Sequence, residues 1–445
     1  MNYKVAIVGG GISGLTAAYT LKKAGIEATV FEKASFVGGR MSSDAVDDCI
    51  IDRGAYTVPS FYAELHKFLD EIGKKQELVI TPSTSSSFWK GKEYDFKLGS
   101  PLGLMKYKLL SLKDKVDLMK IIISIQTQKK ALNLSSPTEK SFELEKQTAS
   151  DYLLQQGKKD LLELFAYPLL SELLLGNPEF NSKLAFLSTL SCPAVFTIDE
   201  FEDGMRTLPE YLAKTLDVRL NAPVSRIKKT SGNGYEIQVG GENEEVLHCD
   251  AVILAAPLPA LVDILADTSM ELKASIKDII YSPAIVTAWG LENRDKDCSL
   301  INNFLRNETK VISTVVFDHL KSASRVPDGK GLVTVILKEA ASRELYEVSD
   351  DQIQSAVLAE IESIFPSFGS RVIFTRTYRW EHAALQFPVG ALKKKQTLEK
   401  MFSQELKNIY IASDSLYRTS INTCLQTGIQ AAINIIDSQN VGVNK

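Results

Sequence analysis

The chain reads as an α/β protein, with a doubly wound parallel sheet joined to a discontinuous α+β domain. Three observations predict this. Residues 4–33 hold an apolar strand, a glycine-rich turn, a helix and a second strand. A mostly helical pattern then runs from about 80 to 195 before short strands return. Alternating strands fill about 275–375, and an apolar strand followed by a helix ends the chain.

The first unit is KVAIVGGGISGLTAAYTLKKAGIEATVFEK. Val5 to Val8 has the continuous apolar character of a buried parallel strand. Gly9, Gly11 and Gly14 form G-x-G-x-x-G ahead of a helix, and Glu27 to Phe31 makes the next strand, closed by Glu32. This is a dinucleotide fingerprint of Rossmann type. Gly9 permits the tight turn, Gly11 lets backbone approach a pyrophosphate, and Gly14 lets helix and strand pack closely. The helix N-terminus, with Ile12 and Ser13, then turns free N–H groups toward phosphate. Glu32 is placed to accept hydrogen bonds from ribose hydroxyls. The fingerprint alone does not distinguish NAD from FAD.

Residues 32–40, EKASFVGGR, and 51–57, IDRGAYT, narrow the choice. They resemble the FAD-dependent superfamily of amine oxidases, protoporphyrinogen oxidases and carotenoid desaturases. The resemblance implies a Rossmann-like FAD-binding domain and non-covalent FAD. It implies that Lys33, Gly39 and Arg40 lie at the cofactor, with Arg40 pairing to the pyrophosphate, and that Gly54, Ala55 and Tyr56 run beside the flavin. EDGMRTLPEYL, VSRI and AVILAAP resemble later family segments, which implies that Val224 meets the adenine through its backbone and that Ala256 is in contact. At the C-terminal end, NIYIASDSLYRTSINTCLQTG places Ser413, Asp414, Ser420, Ile421 and Asn422 at the cofactor. Asp414 is expected to bond the pyrophosphate or ribityl end, and the N–H groups of Asn422 and Thr423 to face the flavin O2 end.

Composition excludes several classes. Net charge is −4, which suggests no nucleic-acid partner. Cys49, Cys192, Cys249, Cys298 and Cys424 are scattered and include no C-x-x-C, so neither a disulfide framework nor a zinc site is expected. His66, His248, His319 and His382 lack ligand spacing, and no metal is expected. No signal peptide or membrane span is expected, and the expected location is cytoplasmic, with contact at the inner membrane face possible.

Residues 60–74 pattern as a helix and 87–96 as a hairpin about Lys90-Gly91-Lys92. Ser111 and Asp114 form a capping box for a helix with Leu112, Val116, Met119, Ile122 and Ile123 at helical spacing. That stripe is expected to pack on the core; the alternative is a helix dipping into a membrane surface beside Lys106, Lys108, Lys113, Lys115 and Lys120. Residues 131–148 read as an exposed loop, and 149–176 as helix broken or kinked at Pro168. The expected domains are a FAD-binding domain of 1–80, 196–275 and 370–445, a helical substrate or cap region of 81–195, and a β-sheet region of 276–369.

Only one dinucleotide fingerprint occurs, so an organic substrate rather than NAD(P)H is expected to reduce the flavin. The expected reaction dehydrogenates a C–N or C–C bond of a fairly large apolar small molecule by hydride transfer to flavin N5, with O2 as acceptor. Protoporphyrinogen oxidation is the alternative, since SPLGLMKYKLLSLKDKVDLMK, RWEHAALQFPVG and INTCLQTG resemble that branch. Its usual glycine-rich centre is altered here to Glu172-Leu-Leu-Leu-Gly. A non-catalytic flavin-binding protein is a further alternative. The lysine and flavin-facing tyrosine of classical amine oxidases fall at Ile285 and Ser420. No catalytic side chain is assigned; Tyr378, Trp380 and Phe387 are candidate cavity aromatics, each equally able to be core.

Overall fold

The computed structural model describes residues 3–232, 234–241, 244–294 and 298–443. Five parallel strands form the nucleotide-type sheet in the order Asp217–Arg219, Glu27–Phe31, Lys4–Val8, Ala251–Leu254, Ile409–Ile411. Lys4–Val8 lies at its centre. Val5 and Ile7 face one way, onto Ala17 and Leu21 of the helix Ile12–Lys23 and onto Ala431 and Ile435 of the helix Ile421–Val443. Ala6 and Val8 face the other way, onto Ile237, Leu258 and Phe402. Both faces are covered, so every second residue need not be polar and the strand is apolar from Val5 to Val8.

A second sheet has seven strands in the order Val372–Leu385, Tyr281–Leu291, Gly331–Leu337, Ile312–Phe317, Ile301–Phe304, Thr84–Trp89, Lys92–Lys97. It takes in residues 84–97 and 372–385, which the sequence reading placed with the helical region and with the FAD-binding domain. The hairpin joins through parallel pairing of Ser85 with Ile301. That partnership spans more than 200 residues and leaves no local mark.

The helical region packs around Leu118, Ile121, Ile125, Leu153, Leu170 and Phe186. The capping box at Ser111 and Asp114 forms as expected, opening the helix Leu112–Thr127. Its expected stripe does not pack on the core. The core takes the neighbouring stripe Leu118, Ile121 and Ile125, while Leu112, Val116, Met119 and Ile123 stay exposed and only Ile122 packs at the margin. The helix is apolar on more than one face, and spacing alone cannot say which face is covered.

Residues 131–148 are also ordered rather than an open loop. Ala131, Leu132, Leu134 and Leu144 are buried, and Thr138 with Ser141 caps the helix Glu139–Leu144. Its polar residues are used inward: Ser141 Oγ donates to Ala131 O, and Glu145 accepts from Leu392 N. Pro168 follows a widened π turn at Leu162–Ala166 and sits in the first turn of the helix Tyr167–Leu173. A proline has no N–H and crowds the preceding turn, so the helix widens there and continues.

Candidate functional site

The glycine-rich turn is fixed by contact with the strand beside it. Gly9 has φ +113°, and a Cβ there would stand 2.8 Å from Ala255 O. A Cβ on Gly14 would stand 2.1 Å from Gly9 O, so helix and turn pack at a distance only glycine allows. Gly11 differs: its nearest neighbour to a Cβ would be 4.0 Å away, and the space above it is open. Gly11 caps the helix Ile12–Lys23 without a side-chain hydrogen bond, so the first-turn N–H groups face that space.

The G-G-R turn lies against this one. Gly38 N donates to Gly10 O at 2.8 Å, and Gly11 and Gly38 form an isolated parallel bridge. Arg40 is thereby carried to the turn. Its Nη1 and Nη2 donate to Asp414 Oδ2 and Oδ1, each at 2.9 Å, and Nη1 also donates to Ala383 O at 2.8 Å. Asp414 accepts further from Tyr281 Oη at 2.8 Å and Thr419 Oγ1 at 2.6 Å. Burial opposes charge on both partners, and their mutual attraction overcomes it. The guanidinium stays protonated and the Asp414 carboxyl is held below its ordinary range. The Asp414 oxygens are thus committed to Arg40, Tyr281 and Thr419. Nε–H and the second Nη2–H of Arg40 carry no partner among the described residues.

Glu32 ends its strand with Oε2 accepting from Gly10 N at 2.7 Å and Oε1 from Ala34 N at 2.8 Å. Its own backbone O accepts from Ala222 N, which brings Pro223 and Val224 to the same end of the sheet. Ala256 and Val224 both pack against the same buried cluster, whereas Lys33 is exposed. Ser413 is buried and its Oγ bonds Ser415 Oγ at 3.0 Å. Ser420 Oγ accepts from Thr423 N at 3.0 Å, so that N–H, expected to face the flavin, is already used. Asn422 has a side-chain role that sequence did not reveal. Its Oδ1 accepts from Glu64 N and Leu65 N and caps the helix Ala63–Glu71.

Gly54 sits where a Cβ would meet Arg40 O at 2.7 Å. After it, Ala55 and Tyr56 are half-buried, and Trp380 closes in through Nε1–H to Arg53 O at 2.7 Å. The other two candidate aromatics are occupied elsewhere. Tyr378 packs with Cys49, Ile51 and Leu332 and donates to Asp44 Oδ2 at 3.0 Å, and Phe387 lies in the helical region's core. Tyr56, Tyr62, Arg40 and Cys424 are each half-buried. Burial, with Asp414 nearby, pushes the Cys424 thiol up to about 12, so it is not a nucleophile.

Behind Tyr56 lies a buried ionic cluster. Arg325 Nη1 and Nη2 stand 2.9 Å from Asp52 Oδ2 and 2.8 Å from Glu200 Oε2. Lys321 Nζ stands 2.8 Å from Asp318 Oδ1 and 5.5 Å from the Tyr56 ring centre. Burial, partly offset by Arg325 and Lys321, pushes Glu200 up to about 7. Sequence reading did not find this cluster, because its members share no motif.

A family model described as flavin containing amine oxidoreductase matches residues 12–436. The chain belongs to the flavin-containing amine oxidoreductase family. FAD is its cofactor, and the protein is a FAD-dependent oxidoreductase. The donor set fits that group: open space over Gly11, free first-turn N–H groups, spare Arg40 donors and the Glu32 carboxylate. This amine oxidoreductase is 22% identical to protoporphyrinogen oxidase 2 of Arabidopsis thaliana, over 96% of this chain and 93% of that one. It is 21% identical to coproporphyrinogen III oxidase of Bacillus subtilis, over 95% and 96%. Putrescine oxidase, solved bound to putrescine, shares its fold with a TM-score of 0.78 at 18% identity, covering 98% of this chain and 99% of that one. Among the described residues, no helix is long and apolar enough to cross a membrane, and no group of His, Cys, Asp and Glu could hold a metal.

Proposed function

We propose that this flavin-containing amine oxidoreductase dehydrogenates a C–N or C–C bond of a fairly large apolar molecule, with O2 taking the electrons afterwards. When bound, FAD supplies the hydride acceptor at N5. The observation that carries the reading is the half-buried run Gly54, Ala55 and Tyr56, packed against Arg40 O at Gly54 and met by Trp380 at Arg53 O, beside the Arg40 anchor. The chain's own residues position and exclude water there. Arg40 neutralises and orients the pyrophosphate with its spare donors, and Asp414 holds Arg40 rather than meeting the cofactor itself. Glu32 takes the ribose, the Val224 backbone takes the adenine, and the N–H groups at Ile421 and Asn422 meet developing negative charge.

Oxidation of a porphyrinogen is the second reading, favoured by likeness along the whole chain to two porphyrinogen oxidases. Anaerobic addition of protoporphyrinogen IX to the purified yellow protein tests it. Fast stoichiometric bleaching of the flavin band, with recovery in air, is expected under that reading. Absent bleaching with FAD bound overturns it and moves the search to amines.

The exposed stripe supports a peripheral contact with an anionic membrane surface. Leu102 and Leu112 are each 72% exposed and Ile123 61%, with Lys106, Lys113 and Lys120 alongside. Apolar side chains flanked by lysines suit the boundary between headgroups and acyl chains.

A further inference from the structure

Five charged side chains meet behind Tyr56, and all of them are buried. Asp52, Glu200, Asp318 and Arg325 are each no more than 2% exposed, and Lys321 is 7% exposed. They come from three separate segments. Asp52 ends the strand Cys49–Asp52, and Glu200 lies on the strand Ile198–Phe201. Asp318, Lys321 and Arg325 lie on the short turns that follow the strand Ile312–Phe317.

Fully charged, the group does not balance. Three carboxylates stand against two cations, and an excess charge in a dry interior is costly. Two of the carboxyls are held on both oxygens. Asp52 Oδ1 accepts from Ser43 Oγ at 2.7 Å and Met205 N at 3.0 Å, while Oδ2 faces Arg325 Nη1 at 2.9 Å and Lys321 Nζ at 3.4 Å. Asp318 Oδ1 stands 2.8 Å from Lys321 Nζ, and Oδ2 accepts from Thr334 Oγ1 at 2.6 Å. Glu200 is the exception. Its Oε2 accepts from Arg325 Nη2 at 2.8 Å, but its Oε1 has no partner among the described residues. A proton on Oε1 removes the excess charge and takes no bond from any partner.

The same group reaches the cofactor segment. Asp52 lies two residues before Gly54, and Lys321 Nζ lies 5.5 Å from the Tyr56 ring centre. Arg325 and Lys321 thus tie the run Gly54, Ala55 and Tyr56 to the turns of the seven-stranded sheet. We propose that Glu200 is a proton-carrying positioning residue: protonated, it keeps the five charges balanced and that run pinned for FAD, and deprotonated, it loosens the run and speeds FAD release. The role rests on the placement of Gly54, Ala55 and Tyr56 beside the flavin in the reading above, and not on which substrate is oxidised.

The charged groups facing Glu200 are Arg325, Lys321 and Asp318 from the turns and Asp52 from its own strand. The strands paired with Ile198–Phe201 bring Val58, Pro59 and Val79, which carry no charge. Asp199 points to the opposite face of the strand, with His66 Nε2 3.8 Å away. Burial pushes Glu200 up to about 7, an effect offset in part by Arg325 and Lys321 and reinforced by Asp52 and Asp318. Burial also opposes charge on Asp52, yet Arg325 and Lys321 hold its carboxyl below the ordinary range. The pinned form therefore holds the Glu200 proton more tightly than a loosened form in which this carboxyl regains its ordinary 4.5. Its advantage is full below 4.5 and is lost as pH rises through 7, so loosening grows with pH.

Hydrogen exchange and FAD release, measured on the holoenzyme of wild type and Glu200→Gln, test this. Met205 N is the reporter amide, because it donates to Asp52 Oδ1. Corrected for the intrinsic rate, its exchange in the wild type should rise about 10-fold between about pH 6 and pH 8.5, and FAD release should rise by a similar factor. Glu200→Gln is neutral at every pH and still accepts from Arg325, so both of its profiles should be flat. A flat wild-type profile for either quantity overturns the proposal, whether or not the variant folds. So does a slope in Glu200→Gln equal to that of the wild type. Exchange across 53–57 that added FAD does not slow overturns the placement of that run beside the flavin, and the proposal with it. Slowing by FAD without the pH slope leaves that placement intact and overturns the proposal alone.

Discussion

Arg40 and Asp414 are 374 residues apart in sequence and joined by two parallel N–H···O bonds of 2.9 Å. Such a fork fixes the plane and direction of the guanidinium, which a point charge cannot do. Arg40→Lys should fold and lose FAD affinity by about 10-fold or more, on the scale of one charge-assisted hydrogen bond. Arg40→Met should be worse, because it leaves the Asp414 carboxylate buried and unpaired, at a cost of about 3–5 kcal/mol. FAD retained through gel filtration, together with thermal melts, checks both.

Two glycines of one turn should fail in different ways. Gly11 is extended, at φ −70° and ψ 174°, and a Cβ there clashes with nothing, its nearest neighbour being Ala255 O at 4.0 Å. Gly11→Ala should fold with a melting temperature close to that of the FAD-free wild type, yet bind FAD at least 10-fold more weakly, because the methyl enters the phosphate space. Gly14→Ala should destabilise the chain itself by several kcal/mol, since its methyl would be driven into Gly9 O. Melting of both variants with and without added FAD separates the two effects.

The Glu172 carboxyl makes stability depend on pH. Its value of about 6 in the folded chain lies above the ordinary 4.5, because burial favours the neutral form. The folded state holds this proton more tightly than the unfolded state does. Its contribution is full below 4.5 and is lost as pH rises through 6, by up to about 2 kcal/mol. Glu172→Gln should lack that loss. Denaturant melts of both forms at pH 4.5 and pH 7 should show the variant gaining on wild type at the higher pH.

Arg325 is the keystone of the cluster behind Tyr56. It is fully buried between Asp52 and Glu200. Arg325→Met should cost about 3–5 kcal/mol, because two carboxyls then lose their shared cation. Urea unfolding measures this, and a loss under 1 kcal/mol would contradict it.

The lysine-flanked stripe predicts sedimentation with vesicles containing phosphatidylserine and not with neutral vesicles. Leu112→Ser combined with Ile123→Ser should abolish it without changing the melt, because both side chains are already in water.

How far the sequence reveals this architecture depends on the range of the interaction. The glycine turn, Glu32 and the G-G-R turn are local patterns, each dictated by backbone geometry within about 40 residues, and they were legible. The strand before Asp414 and the helix after it were legible for the same reason. Asn422 as the cap of the helix Ala63–Glu71 was not, because its partners lie more than 350 residues away. Neither was the pairing of the hairpin at Lys90 with Ile301–Phe304. Asp52, Glu200, Lys321 and Arg325 look like four ordinary surface charges until the fold buries them together. Tyr378 and Phe387 were named for being aromatic, a property that serves a core as well as a cavity.

The order of strands in the five-stranded sheet has a consequence for biogenesis. Among the described residues Ile409–Ile411 pairs only with Ala251–Leu254, yet it delivers Asp414 to Arg40. At about 5–20 residues per second, a ribosome needs roughly 20–75 s to make the intervening 374 residues. Throughout that time the fingerprint turn has its glycines but not the carboxylate that steers its arginine. The fingerprint turn therefore reaches its finished geometry only after the strand Ile409–Ile411 and Asp414 have been made.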